Sequence, residues 1–138
     1  MTVDEMKAAY LRMIDEAAHG GRIETLDELY AGDCAWYGPG GERLAGREAL
    51  KENIGIYRTA FPGFRITVHH QFGQGDHLAT RWSVVGRHDG PLGDLPATGK
   101  EIDITAMTIS RFEGDRIAEE WELFDAMLMM RQLGVADA

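Results

Sequence analysis

The sequence predicts an α+β domain in which a curved antiparallel sheet wraps around N-terminal helices. Apolar residues recur at helical spacing as far as Phe61, and from Phe64 onwards the period changes to two. Glycine-containing turns separate the later strands, so consecutive strands are expected to pair as hairpins. One face of such a sheet must be covered by the helices. The result is a cone-shaped α+β barrel, whose open end suits a pocket for a small apolar ligand.

Three helices are predicted in the first part of the chain. Thr2 and Glu5 have the spacing of a capping box, so the first helix begins there and ends at the glycine pair 20–21. A shorter helix covers residues 23–30. The third covers residues 46–61 and is stopped by Pro62. Between the second and third, residues 34–37 form a short predicted strand, which the glycine-rich segment 38–41 ends.

Four longer strands and a final helix are predicted after Pro62. The strands alternate apolar and polar residues, and their predicted bounds are 64–72, 77–88, 100–112 and 116–124. The segment 90–99 holds two prolines and three glycines, so it is predicted to be a loop. Residues 126–133 form a short apolar helix closed by Gly134.

The composition of the chain narrows the classes of function that it can have. A chain of 138 residues corresponds to one domain, residues 1–138. Its 14 basic and 23 acidic residues give a net charge of −9, which disfavours nucleic acid and anionic membranes as partners. Cys34 is the single cysteine, so no disulfide forms within the chain and a zinc site with several thiolates is excluded. The N-terminus lacks the basic and apolar pattern of a secretory signal, and we expect a cytoplasmic protein.

Three stretches of sequence carry a resemblance to a known family. They are residues 46–64, residues 81–100 with their Arg-Trp-Ser-Val-Val-Gly-Arg-His core, and residues 111–134, which include Ile-Ala-Glu-Glu-Trp-Glu-Leu-Phe-Asp. In this order and spacing they resemble the SnoaL-like polyketide cyclases, members of the nuclear-transport-factor-like, ketosteroid-isomerase-like cone superfamily. The resemblance covers residues 5–134 and implies a single SnoaL-like domain without metal or organic cofactor. It also implies that Asp125, which follows the last long strand, is the general acid/base of an intramolecular aldol condensation.

The residues themselves give Asp125 two possible roles. Ile117, Trp121 and Leu123 alternate along the last strand, so the odd-numbered residues are expected to face inward, and Asp125 continues that series. An inward carboxyl loses hydration, which raises its pKa and suits it to proton transfer. The alternative is that Asp125 caps the helix that begins at Ala126.

Two further residues are candidates for catalysis. Glu119 shares the predicted inward face and could divide acid and base roles with Asp125, or it could pair with Arg111 or Arg81. His88 ends the even-numbered series of its strand. There it could hydrogen-bond a substrate carbonyl, or it could touch solvent beside the loop that begins at Gly90.

Substrate contacts are predicted from five other residues, each of which could instead be a packing or surface residue. Trp36, Trp82 and Trp121 could stack on a flat substrate, and Tyr10 and Asn53 could supply hydrogen bonds inside the cone. The outer sheet face is expected to be partly apolar, and it therefore predicts a homodimer or a larger homo-oligomer.

These observations favour a cofactor-independent SnoaL-like cyclase that acts on a small hydrophobic carbonyl compound by aldol-type cyclisation. Two alternatives use the same fold. One is an epoxide hydrolase or a ketosteroid-isomerase-type isomerase, and the other is a non-catalytic module that binds a small ligand. A deep, closed apolar cavity with Asp125 at its base would favour catalysis, whereas a filled cone with Asp125 outside it would favour binding or scaffolding.

Overall fold

The computed structural model describes residues 1–135. Apart from one C-terminal helix, its helices precede the four longest strands. The helices are α1 (Val3–Arg12), which continues as a π-helix (Met13–His19), a 3₁₀ turn (Ile23–Thr25), α2 (Leu26–Leu29), α3 (Arg47–Ala60) and α4 (Ala126–Gln132). The strands are β1 (Tyr30–Tyr37), β2 (Arg43–Ala45), β3 (Arg65–Gln74), β4 (His77–Arg87), β5 (Glu101–Glu113) and β6 (Arg116–Phe124). The predicted α+β class, with a curved sheet around N-terminal helices, is confirmed.

The described strands form one curved sheet that does not close on itself. Their order is β2-β1-β6-β5-β4-β3. β3, β4, β5 and β6 pair as antiparallel neighbours, as the hairpin turns predict, whereas β1 pairs with β6 in parallel. β1 begins at Tyr30, which the sequence assigned to a helix, and the short strand β2 was not predicted.

The N-terminal helix begins where the capping box predicts. Thr2 Oγ1 accepts a hydrogen bond from the Glu5 amide at 3.1 Å, and Glu5 Oε1 accepts one from the Thr2 amide at 2.8 Å. The second half of the predicted helix widens into the π-helix, which ends at Gly20. Arg58 from α3 donates hydrogen bonds to the carbonyls of Ala18 and His19, so it satisfies backbone acceptors at the end of that helix.

A β-bulge in β6 reverses the predicted orientation of the side chains that follow it in the strand. Arg111 pairs with Glu119 and Phe112 pairs with Ile117, so Ala118 is an extra residue without a partner. Ile117 faces inward as predicted, but beyond the bulge the even-numbered residues face inward. The prediction for Trp121 and Leu123 is therefore wrong, since their side chains are 38% and 67% exposed on the outer face.

A second bulge has the same effect in β3. Val68 pairs with Trp82 but His70 pairs with Arg81, so one residue is again inserted. Phe72 belongs to the apolar series of this strand and is nonetheless 69% exposed. Alternation of period two holds only as long as the ladder is regular, and each bulge shifts it by one residue.

Two apolar clusters fill most of the space between the helices and the concave face of the sheet. The first includes Met6, Leu26 and Leu78, and the second includes Phe61 and Leu133, which places α4 against the sheet. All five side chains are buried. No helix within residues 1–135 is long and apolar enough to span a membrane.

The outer face of the sheet carries exposed apolar side chains on β4, β5 and β6. Val85, Met107, Ile109 and Leu123 are between 46% and 67% exposed. The sequence predicted a partly apolar outer face, in agreement with these exposures. A patch of this kind on a soluble surface commonly forms an interface, and the homo-oligomer stays a prediction.

Candidate functional site

A cavity of about 160 Å³ lies between α1, the π-helix, α3 and the concave face of the sheet. Aliphatic and aromatic side chains dominate its lining, and polar groups are few. The lining residues are Tyr10, Met13, Ile14, Ala18, Tyr30, Trp36, Leu50, Asn53, Ile54, Tyr57, Phe61, Phe64, Ile66, Trp82, Val84, Ile102, Ile104, Glu120, Glu122, Phe124 and Met129. This is the pocket that the cone architecture predicts.

Glu120 is the more deeply buried of two carboxyls on the cavity wall, with 3% of its surface exposed. The Tyr30 hydroxyl donates a hydrogen bond to Oε1 at 2.7 Å, and the Ser110 hydroxyl donates one to Oε2 at 2.6 Å. Burial raises the pKa of Glu120 to about 7, although both hydrogen bonds act to lower it. Both oxygens of this carboxyl are therefore occupied by protein donors.

Glu122 is the second carboxyl and lies two residues further along the same face of β6. Thr108 Oγ1 donates a hydrogen bond to Glu122 Oε1 at 3.3 Å. Burial, followed by the charge of Glu120, raises the pKa of Glu122 to about 8. Two carboxyls with raised pKa on one cavity wall can supply an acid and a base near neutral pH.

The carboxyl pair has no counter-ion in the cavity wall that the structure describes. None of the lining residues is lysine, arginine or histidine. Tyr10 and Tyr30 lie close by, and burial together with the charge of Glu120 raises the pKa of both phenols well above the usual value, so they stay neutral donors. The cavity consequently disfavours anionic ligands.

Asp125 does not enter the cavity, so its predicted inward orientation is wrong. Its side chain is exposed, and Oδ1 accepts a hydrogen bond from the Leu128 amide at 2.9 Å. The alternative of a helix cap on α4 is confirmed by this geometry. The physical reason is the bulge at Ala118, which turns the odd-numbered positions of β6 outward.

Glu119 and His88 also lie away from the cavity lining. Glu119 pairs with Arg111 at 2.9 Å, as one of its two interpretations predicted, and it does not share the inner face. His88 is fully buried, so the alternative that it touches solvent is wrong. Its Nδ1 bonds the Thr98 hydroxyl at 2.9 Å, and its ring packs on Phe61 at 5.2 Å between centroids. His88 therefore supports the cavity wall from behind.

The predicted substrate-binding residues divide between the cavity and the outer face. Trp36, Trp82, Tyr10 and Asn53 line the cavity. Trp121 lies on the outer face, where it stacks on Tyr37 with 6.0 Å between ring centroids. Whether the four lining residues contact a substrate stays a prediction.

Sequence reasoning missed Glu120 and Glu122. The sequence does show two glutamates at alternate positions of a strand that also holds apolar residues. The bulge that turns them inward cannot be recognised from the alternation of apolar and polar residues. Thr108 and Ser110, which hydrogen-bond the two carboxyls, were also missed. Within the described residues, no group of three or more histidine, cysteine, aspartate or glutamate side chains could hold a metal ion.

The sequence matches the model of one protein family. A family model described as SnoaL-like polyketide cyclase matches residues 8–133. The chain belongs to this family. No curated protein matches the sequence.

Solved structures of SnoaL-like proteins superpose closely on this chain. A SnoaL-like polyketide cyclase candidate from Jannaschia sp. CCS1 is 18% identical over 97% of this chain and 94% of its own, with a TM-score of 0.89. IdmH from Streptomyces antibioticus, a candidate polyketide cyclase, is 30% identical over 98% of this chain and 100% of its own, with a TM-score of 0.79.

A third solved structure shares the fold. A protein from Catenulispora acidiphila with a ketosteroid-isomerase-like fold, in complex with trimethylamine, is 17% identical and covers 91% of this chain and 92% of its own. Its TM-score is 0.76. The shared cone fold is therefore established, and the fold alone does not determine the reaction.

Proposed function

We propose that this protein is a cofactor-independent cyclase that closes a ring in a small, neutral, hydrophobic carbonyl compound by aldol-type condensation. The observation that carries the proposal is the pair of carboxyls, Glu120 and Glu122, in an otherwise apolar cavity. Membership of the SnoaL-like polyketide cyclase family supports this reaction type, as does the likeness to IdmH.

The cavity supports a substrate of limited size without an anionic group. An apolar cavity of about 150 Å³ holds a benzene-sized molecule, so a volume of about 160 Å³ corresponds to one ring. A carboxylate or phosphate placed beside Glu120 and Glu122 would be repelled and would find no cation among the described lining residues. A larger substrate would have to extend outside the cavity or widen it.

Glu122 is the proposed acid/base group. Its carboxylate takes a proton from the carbon next to a substrate carbonyl, and the resulting enolate carbon attacks a second carbonyl carbon in the same molecule. A carbon–carbon bond forms, and the electron pair of the attacked carbonyl moves to its oxygen. That oxygen then takes the proton back from Glu122, so the step needs no oxidant, reductant or cofactor.

Glu120 has a supporting part in this mechanism. Both of its oxygens accept hydrogen bonds, from Tyr30 and Ser110, so neither is free to approach a substrate carbon. Its negative charge raises the pKa of Glu122 to about 8, which makes the Glu122 carboxylate a stronger base. Asp125, which the family resemblance nominated, is exposed and caps α4, a position that was expected to favour binding or scaffolding. We assign it no proton transfer, and a catalytic role is proposed only because Glu120 and Glu122 line the cavity.

Substitution of single carboxyls tests the proposal. The probe is hexane-2,5-dione, a small diketone close to benzene in size, whose aldol closure and loss of water give 3-methylcyclopent-2-enone, followed by its ultraviolet absorbance. We expect Glu122→Gln to lower the rate by about 10²- to 10⁴-fold, the usual contribution of a general acid/base. Glu119→Gln and Asp125→Asn are the matched controls, because both carboxyls lie outside the cavity, and both variants should keep the wild-type rate.

The opposite pattern would overturn the assignment. Full activity of Glu122→Gln, or a loss confined to Asp125→Asn, would remove Glu122 from the mechanism. The pH dependence gives a second criterion. Because the base acts in its ionised form, kcat/KM should rise with pH through an inflection near the pKa of Glu122, about 8.

A further inference from the structure

A chain of hydrogen bonds connects three adjacent strands to the proposed acid/base group. The indole Nε1 of Trp82 on β4 donates to Thr108 Oγ1 on β5 at 3.0 Å. The Thr108 hydroxyl in turn donates to Glu122 Oε1 on β6 at 3.3 Å. Thr108 and Glu122 are direct partners in the β5–β6 register, so the sheet itself places the hydroxyl opposite the carboxyl.

The chemistry of the donors fixes the direction of these hydrogen bonds. An indole N–H can only donate, so the Thr108 oxygen is the acceptor of that bond and its own hydrogen is available to Glu122. Thr108 is 2% exposed, so bulk water does not compete for the hydroxyl. Its β-branched side chain has few rotamers, which limits reorientation. Glu122 Oε1 is thereby kept as an acceptor.

We propose that Thr108, anchored by Trp82, is a positioning residue that fixes which oxygen of the Glu122 carboxyl carries its proton. With Oε1 held as an acceptor, the proton of the neutral acid resides on Oε2. The catalytic consequence rests on the proposed function, because only a substrate proton transfer uses that oxygen. The effect of Thr108 on the titration of Glu122 does not depend on turnover.

Besides Thr108, other groups also act on Glu122. Glu120 on β6 and Glu42, which precedes β2, raise its pKa through their charges, and the Trp36 indole on β1 lowers it. The phenols of Tyr10 on α1 and Tyr57 on α3 also face it. A change in the titration of a Thr108 variant therefore reports the lost hydroxyl, because these contributions are common to both proteins.

The test is a carboxyl carbon NMR titration of protein labelled at glutamate, with the Glu122 signal identified by its loss in Glu122→Gln. Thr108→Val removes the donor while it keeps the volume, and we expect the midpoint of Glu122 to rise by about one pH unit. Thr108→Ser keeps the hydroxyl and should restore the midpoint to within a few tenths of a unit. Trp82→Phe frees the Thr108 hydroxyl to rotate and should give a smaller rise.

The outcomes separate this inference from the proposed function. An unchanged midpoint in Thr108→Val, or an equal shift in Thr108→Ser, would refute the positioning role, whatever the enzyme activity. A shifted midpoint in a protein without cyclase activity would support the hydrogen-bond chain and count against the cyclase. Where Thr108→Val fails to fold, Thr108→Ala removes the same hydroxyl without adding any atom to the site and carries the same expectation.

Discussion

Replacement of Glu120 by glutamine should stabilise the protein at alkaline pH and have little effect at acid pH. Burial raises the pKa of this carboxyl from 4.5 to about 7, so the folded state binds its proton more tightly than the unfolded chain does. Stability from this group is therefore present below pH 4.5 and is lost as the pH rises through 7. A shift of about 2.5 units at about 1.4 kcal/mol each amounts to about 3 kcal/mol.

Urea denaturation of wild type and Glu120→Gln at pH 5 and pH 9, followed by tryptophan fluorescence, measures this effect. The difference in unfolding free energy should move by about 3 kcal/mol in favour of the variant between the two pH values. Loss of the Glu120 charge also lowers the pKa of Glu122, which adds to the gain. The pH-dependent contributions of other ionisable groups to the unfolding free energy are common to both proteins, so they cancel in the difference.

Glu119→Gln is the control for this experiment. Glu119 is adjacent in sequence but pairs with Arg111 where both side chains are partly exposed, so its removal should cost about 1 kcal/mol or less. A free-energy difference between wild type and Glu120→Gln that does not depend on pH would refute the reasoning. It would mean that the folded protein does not disfavour the charged carboxyl, and the acid/base argument for the cavity would lose its basis.

Three further predictions concern other parts of the molecule. Burial lowers the pKa of His19, whose Nε2 accepts the Ile66 amide at 2.9 Å, so stability should fall as the pH drops below 6.5, and His19→Gln should flatten this dependence in urea titrations. A Cβ on Gly90 would lie 2.1 Å from the Thr59 carbonyl oxygen, so Gly90→Ala should cost about 2 kcal/mol or more and lower the melting temperature. Met107→Lys should dissociate the expected homodimer in sedimentation velocity, whereas a monomeric wild type would contradict the predicted interface.

The element types and most bounds could be predicted because local patterns determine them. The capping box at Thr2 and Glu5 marks the start of α1, and β6 begins and ends at the predicted residues. The loop between β4 and β5 follows from its glycines and prolines. Each of these signals acts over a few neighbouring residues, so tertiary contacts do not override it.

The candidate site could be predicted only in part, because side-chain facing depends on the ladder between strands. Trp36 and Trp82 line the cavity, as their predicted contacts with a substrate require. Asp125 follows a bulge and lies outside, while Glu120 and Glu122 take the inner face. A bulge is decided by how two strands pair, and the sequence of one strand alone does not reveal it.

The extra residue at Ala118 has a consequence for how this architecture can diversify. Insertion or deletion of one residue at this position would change which side chains of β6 face the cavity, while the number and connectivity of the strands stay the same. Point substitutions would have to replace those groups one at a time. Homologous chains that lack the insertion would present tryptophan and leucine where this one presents acids, so equivalent alignment columns need not hold equivalent chemistry.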